Sequence, residues 1–205
     1  MKKQHKLDKM TLLLIPLAVA INMVAFNVIY PITMVVLGDS IGTILVGAIC
    51  GPIPGMIVGL LSNLVNVIKN PLLIVMAPLN MAFGIVAGLL ARKGIFKKLW
   101  KTLLCAPIFG ILGGGISGTI MFFAMGGDFW GNLAAVAMGI PLFEAGVPKF
   151  LAMFLSSITF DTIDKIACML IVFLIIKALP DRFLVKLPYG KNVTDMETEE
   201  QELDI

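Results

Sequence analysis

The sequence predicts an all-α, polytopic membrane protein, a bundle of six transmembrane helices with both termini cytoplasmic. Three observations carry that expectation. Apolar residues make up 59% of the 205-residue chain and charged residues only 14%, where a soluble domain holds roughly 45–50% and about 25%. The apolar residues fall in runs of spanning length, for which about 20 residues are needed. Most basic residues sit in three clusters: Lys2, Lys3, Lys6 and Lys9; then Arg92, Lys93, Lys97, Lys98 and Lys101; then Lys177, Arg182, Lys186 and Lys191. Loops rich in Lys and Arg stay on the cytoplasmic side.

Residues 1–10 form the basic N-terminal segment, and a membrane domain covers residues 11–187. The first span is residues 11–30. Its Ala18-Val19-Ala20 superficially resembles a signal-peptidase site, but the apolar run continues past it, so a retained helix is predicted. A polar-marked connector, residues 31–42, carries Asp39 and Ser40. The stretch 41–67 is too long for one helix, and Gly51-Pro52-Ile53-Pro54-Gly55 interrupts it. It is read as two short spans, 40–51 and 53–68, joined by a tight turn. Further spans follow at 72–91, 102–125 and 158–179, the last stopping at Pro180.

The break at Pro52 decides the topology. With it, an even number of crossings separates the basic clusters, which then share one side and leave only Lys69, Lys149 and Lys165 opposite. Without it, the mid-chain cluster would face away from the N-terminus. Residues 126–157 hold Asp128, Trp130, Glu144 and Lys149 among Gly, Pro and apolar residues. They suit a structured outer loop, a pair of short re-entrant helices or a further hairpin. Residues 188–205 end the chain as an acidic cytoplasmic tail with Asp195, Glu197, Glu199, Glu200, Glu202 and Asp204.

No catalytic constellation is visible, and the chain is not expected to be an enzyme. The one histidine, His5, lies in the basic N-terminal segment. Gly113-Gly114-Gly115 lacks the Lys and Ser/Thr of a phosphate loop. Cys50, Cys105 and Cys168 lie in apolar runs without metal-ligand spacing and read as buried hydrophobes. No cofactor and no metal are expected, and an ATP-driven activity would need partner subunits. The net charge of +3 follows from the loop bias rather than from a nucleic-acid surface.

Small and polar residues carry the remaining signal. Gly110, Gly114 and Gly118 recur every four residues, as do Gly84 and Gly88, and Gly47, Gly51, Gly55 and Gly59. Such faces let helices approach closely in lipid. Internal packing explains the fifth span, whereas on the first three spans docking of another membrane subunit competes with it. Asn22 lies within the first span and Asn80 within the fourth. Asn63, Asn66 and Asn70 share one helical face towards the outer end of the third span. Asn offers donors and an acceptor, which suits a neutral, hydrogen-bonding solute. Asp161, Asp164 and Lys165 open the last span, with Asp161 and Lys165 at ion-pair spacing.

Leu37-Gly38-Asp39-Ser40-Ile41-Gly42-Thr43, running into Gly51-Pro52-Ile53-Pro54-Gly55-Met56-Ile57-Val58-Gly59, is the first half of a family resemblance. The second is Asp164-Lys165 followed by an apolar helix ending Lys177-Ala178-Leu179-Pro180. In order and spacing these pieces resemble the substrate-binding S-component of energy-coupling factor (ECF) vitamin transporters, over about residues 15–183. The resemblance implies a six-helix, multi-pass protein of a bacterial plasma membrane. Such a protein captures a small water-soluble vitamin, vitamin precursor or related micronutrient in an outward-facing cavity. It implies docking on a transmembrane coupling subunit driven by two cytoplasmic ATPases, with toppling to release the ligand inwards.

The expected substrate-binding set is Asn63, Asn66, Asn70, Asn80, Asp39 and Asp164. Family members often carry Ala-x-x-x-Ala on the first helix for docking. Here the comparable spacings are Pro16-x-x-x-Ala20 and Ala18-x-x-x-Asn22, which places partner docking at Ala18, Ala20 and Asn22. The rival is a self-contained secondary transporter or channel, which should carry an intramembrane acidic residue; the predicted spans put Asp39, Asp161 and Asp164 near the outer boundary instead. A sensory or scaffold module, recruiting a partner through the acidic tail, is a second rival.

Overall fold

The computed structural model describes residues 8–68, 71–124, 126–129 and 133–194. Every regular element among them is helical. Helix α1 is Lys9–Thr33, α2 Ile41–Cys50, α3 Pro52–Asn66, α4 Ala77–Arg92, α5 Leu99–Leu104, α6 Ala106–Ala124, α7 Leu133–Glu144, α8 Lys149–Ala178 and α9 Asp181–Leu184. Three stretches are long and apolar enough to cross a membrane: Lys9–Thr33, Leu73–Arg92 and Leu99–Ala124.

Local chemistry sets the ends of these helices. The Asp8 carboxylate accepts the Lys9 N–H at 2.8 Å and starts α1. Met34, in the left-handed region at φ 53°, stops it. Gly51 divides α2 from α3 at φ 107°, a conformation that a Cβ would oppose. Pro52 then opens α3, where its missing N–H costs nothing. The predicted pair of short spans and their tight turn are therefore present as a hairpin.

Neighbouring helices run antiparallel through close backbone approaches. A Cβ on Gly42 would lie 2.1 Å from the Ala18 carbonyl oxygen, and one on Gly38 would lie 3.2 Å from the Ala25 Cβ, so α2 descends along α1. Gly55 meets Gly84, Gly59 meets Asn80, and Gly88 meets Pro52, which sets α4 against α3. Gly110 meets Thr162 and Gly114 meets Ile158, which sets α8 against α6. Gly47, Gly55 and Gly59 of the early spans are thus packed against α4 and Gly51 against Tyr189. These contacts are the internal packing that competed with docking in the sequence. Helix α2 lies at the centre with all of its residues buried. Its ten residues span only about 15 Å, and it packs on α1, α3, α4 and α8.

Several sequence expectations need correction. The last long helix begins at Lys149, not at 158, and its 30 residues extend about 45 Å. Asp161, Asp164 and Lys165 therefore stand near its middle instead of opening it. The fifth span is present over Leu99–Ala124, starting before 102, with a one-residue irregularity at Cys105 between α5 and α6. Among its described residues, the segment 126–157 holds the short helix α7 and the first turns of α8, on which α7 packs, with Lys149 and Asp128 paired at 3.1 Å.

The folded domain also reaches beyond 187. Val193 and Thr194 are buried, and Tyr189 donates its N–H to the Ile49 carbonyl at 3.0 Å while its ring covers Gly51. The acidic residues from Asp195 onward, and the basic residues before Lys9, lie outside the described residues.

This arrangement separates two ends. Arg92, Lys93, Lys97, Lys98 and Lys101 share a surface depression with Lys191. The start of α1 and the Gly51 turn belong to that same end, because α1 and α2 are antiparallel. The connector between α1 and α2, the last turn of α3 and the first turn of α4 make up the other.

Candidate functional site

A cavity of about 240 Å³ opens at the end away from the basic residues. Four of the residues expected to bind substrate line it: Asp39, Asn63, Asn66 and Asn80. Asp39 comes from the α1–α2 connector, Asn63 and Asn66 from the end of α3, and Asn80 from the start of α4. The asparagine face stops at Asn66, where α3 ends. Asn70 lies outside the described residues.

The two inner asparagines bond to each other. Asn80 donates to the Asn63 side-chain oxygen at 2.5 Å, and Asn63 in turn donates to the Leu73 carbonyl at 2.8 Å. They tie α4 and the turn before it to α3. Asn66 differs. It is only 6% exposed, and its Oδ1 has no hydrogen-bond partner among the described residues.

Helix α8 supplies charge to the floor of the cavity. Asp161 and Lys165 line it. Asp164 does not, being fully buried behind them. Its Oδ1 accepts the backbone N–H groups of Leu37 at 2.7 Å and Gly38 at 3.1 Å, while its Oδ2 pairs with the Lys165 ammonium. The substrate contact expected of Asp164 is therefore corrected to an anchor for the connector. The ion pair expected between Asp161 and Lys165 is also replaced. Lys165 Nζ turns to Asp164, lies 3.7 Å from Asp39 Oδ1, and sits 4.8 Å from the centre of the Phe83 ring. Asp161 instead accepts from the Ser117 hydroxyl at 3.4 Å. Burial raises the Asp39 carboxyl above its ordinary value; Lys165 opposes that shift and Asp164 adds to it.

The walls are apolar and aromatic. Phe26 and Tyr30, one turn apart on α1, stack with centroids 5.8 Å apart and planes within 1°. Phe83, Leu79 and Met76 face the cavity from α4 and the turn before it. Sequence spacing did not single out Asp161, Lys165, Ser117 or the two α1 aromatics as a group. The legible signal was Asp161, Asp164 and Lys165 together in an otherwise apolar helix. Among the described residues no group of three or more His, Cys, Asp or Glu side chains could hold a metal ion.

The expected docking residues divide. Ala18 and Asn22 are buried, at 2% and 1% exposure, whereas Ala20 stays on the exposed side of α1. Asn22 donates to the Thr43 and Ser62 hydroxyls, both at 2.8 Å, and accepts the Gly42 N–H at 2.6 Å. All of its bonding is internal, joining α1, α2 and α3. A residue so enclosed presents nothing to a partner, which removes Ala18 and Asn22 from the docking surface.

The class these features define is a helical chain with apolar helices of membrane-spanning length and a polar-floored cavity at one end. No protein-family model, no curated protein and no solved structure matches it.

Proposed function

We propose that the chain is the membrane-embedded substrate-capture subunit of an ECF-type importer. It takes a small water-soluble vitamin, vitamin precursor or related micronutrient from outside a cell. It then passes the solute through a transmembrane coupling subunit powered by two cytoplasmic ATPases. The observation that carries the reading is the cavity walled by Asp39, Asn63, Asn66 and Asn80 at the end opposite the basic residues. The tendency of basic loops to stay cytoplasmic supports an outward-facing cavity. Six antiparallel helices, α1–α4, α6 and α8, make the crossings, with α5 continuing into α6. The short α2 is tolerated in the membrane because protein encloses it on all sides.

A second reading, a self-contained secondary transporter, gains support from Asp161 and Asp164 at mid-helix, where ion-coupling carboxylates are found. Asp164 has a structural use that weakens it, since it holds Leu37 and Gly38.

A mild-detergent pull-down of the tagged chain from its native membrane separates the two. Co-purification of a second membrane subunit and two ATPases is the expected result. A chain that purifies alone and drives uptake in reconstituted vesicles under an ion gradient would overturn the importer reading in favour of the second.

A further inference from the structure

We infer that the cavity selects a small, flat organic cation rich in N–H donors, and discriminates against carboxylate-bearing solutes. This rests on reading the cavity as a capture site and names the class of solute it captures.

The first observation is the balance of charge. Asp39 and Asp161 face the cavity, with Asp164 directly behind. Lys165 is the one cationic side chain among the described lining residues. It is not available to an anion: it is 2% exposed, pairs with Asp164, and reaches Asp39 at 3.7 Å. A bound carboxylate would meet two carboxylates and a spent ammonium.

The second observation is independent of charge. Asn66 Oδ1 is buried, lines the cavity and has no hydrogen-bond partner among the described residues. Asp39 Oδ1 is buried too, but it faces the Lys165 ammonium at 3.7 Å, so the unpaired acceptor is that of Asn66. Orphaned buried acceptors are costly unless a donor arrives to satisfy them. Of the donors lining the cavity, Ser117 is committed to Asp161, and the Asn63 and Asn80 amides donate within the α3–α4 link. The site therefore asks its ligand for N–H groups, and charged donors make the stronger bonds.

Shape completes the class. The stacked Phe26 and Tyr30 offer a flat aromatic wall suited to a ring and favourable to a cation. A volume of about 240 Å³, roughly the liquid share of eight waters, admits a single-ring solute and is larger than a bare ion needs.

The test uses the full-length chain in mild detergent and three probes of nearly one shape: benzamidinium, neutral benzamide and anionic benzoate. Isothermal calorimetry should rank them in that order, with benzamidinium at least about tenfold tighter than benzamide. Asp161→Asn should bring benzamidinium to within about threefold of benzamide. Asn66→Asp, which adds a carboxylate where an acceptor is already orphaned, should widen the gap; it serves as the decisive variant if Asp161→Asn does not fold. Benzoate or benzamide binding as tightly as benzamidinium overturns the inference, and so does no binding by any probe at millimolar concentration. The coupling subunit takes no part in these measurements. Cation selectivity without co-purifying ATPases would sink the importer reading alone, and co-purifying ATPases with anion preference would sink this inference alone.

Discussion

Asp164, near the middle of α8, accepts the backbone N–H of Leu37 at 2.7 Å across 127 residues of sequence. Its other oxygen pairs with Lys165, which reaches on to Asp39 in the same connector. One carboxylate thus fixes both the loop that carries Asp39 and the ammonium that faces it. The cavity floor is a single unit, and the connector cannot shift without releasing a buried charge.

Removing that charge should therefore be expensive. Asp164→Asn leaves Lys165 with only the more distant Asp39, and breaking a buried pair costs about 3–5 kcal/mol. Thermal unfolding in mild detergent should show a large drop in Tm. The double variant Asp164→Asn, Lys165→Met should regain part of it, because the ammonium that lost its nearer partner is gone, with only the more distant pairing to Asp39 given up. A double variant less stable than the single would mean that Lys165 is held by more than its pair with Asp164, Asp39 included.

Glycine packing gives a second expectation. A Cβ on Gly84 would lie 2.2 Å from the Gly55 carbonyl carbon, backbone against backbone. Nothing flexible is there to yield, so Gly84→Ala should cost about 3 kcal/mol or more. On Gly115 the nearest atom would be 3.6 Å away, at the end of the Phe154 ring. Gly115→Ala should be tolerated. Size-exclusion profiles of the two variants, purified side by side, make the comparison; equal monodispersity would contradict the packing account.

The helix pattern and its breaks were legible because they rest on local chemistry. Pro52 lacks an N–H and Gly51 accepts a positive φ, so the hairpin of α2 and α3 could be read from five residues. The start of α8 could not. Residues 126–157 are apolar, glycine-rich and proline-containing throughout, and the only local mark of the boundary was Pro148 immediately before Lys149. That misplacement carried Asp161 and Asp164 to a helix end in the sequence reading.

Site residues divided along the same line. Asn63, Asn66, Asn80 and Asp39, which line the cavity, stood out because an amide or a carboxylate in an apolar stretch is conspicuous by itself. Which of these is spent on packing depends on partners far away in sequence, such as Asn22 on Ser62 or Asp164 on Leu37. No spacing rule reports such pairs.

Helix α1 offers a test of what holds the bundle and what meets a partner. Asn22→Leu strands the buried Gly42 N–H, which costs about 1–3 kcal/mol. It should lower the Tm of the isolated chain. Ala20→Trp changes the exposed side of α1 and should leave that Tm nearly unchanged while reducing recovery of the proposed coupling subunit. Equal effects on Tm would show that the two sides of α1 are not divided in this way.

Asn63 and Asn66 stand one turn apart on α3 and should behave oppositely. Asn63 is bonded at both ends, so Asn63→Leu strands the Asn80 amide and the Leu73 carbonyl. That should cost about 1–3 kcal/mol and disturb the cavity only through the fold. Asn66 has an oxygen with no partner among the described residues. Asn66→Leu removes an unsatisfied acceptor, so the chain should unfold at the same temperature or higher. Binding should move the other way, with benzamidinium affinity falling about tenfold or more as the acceptor disappears. Loss of affinity with stability kept is the signature of a ligand contact. Should Asn66→Leu bind as tightly as the parent, Asn66 would return to packing, and the donor-seeking character of the cavity would rest on Asp39 and Asp161 alone.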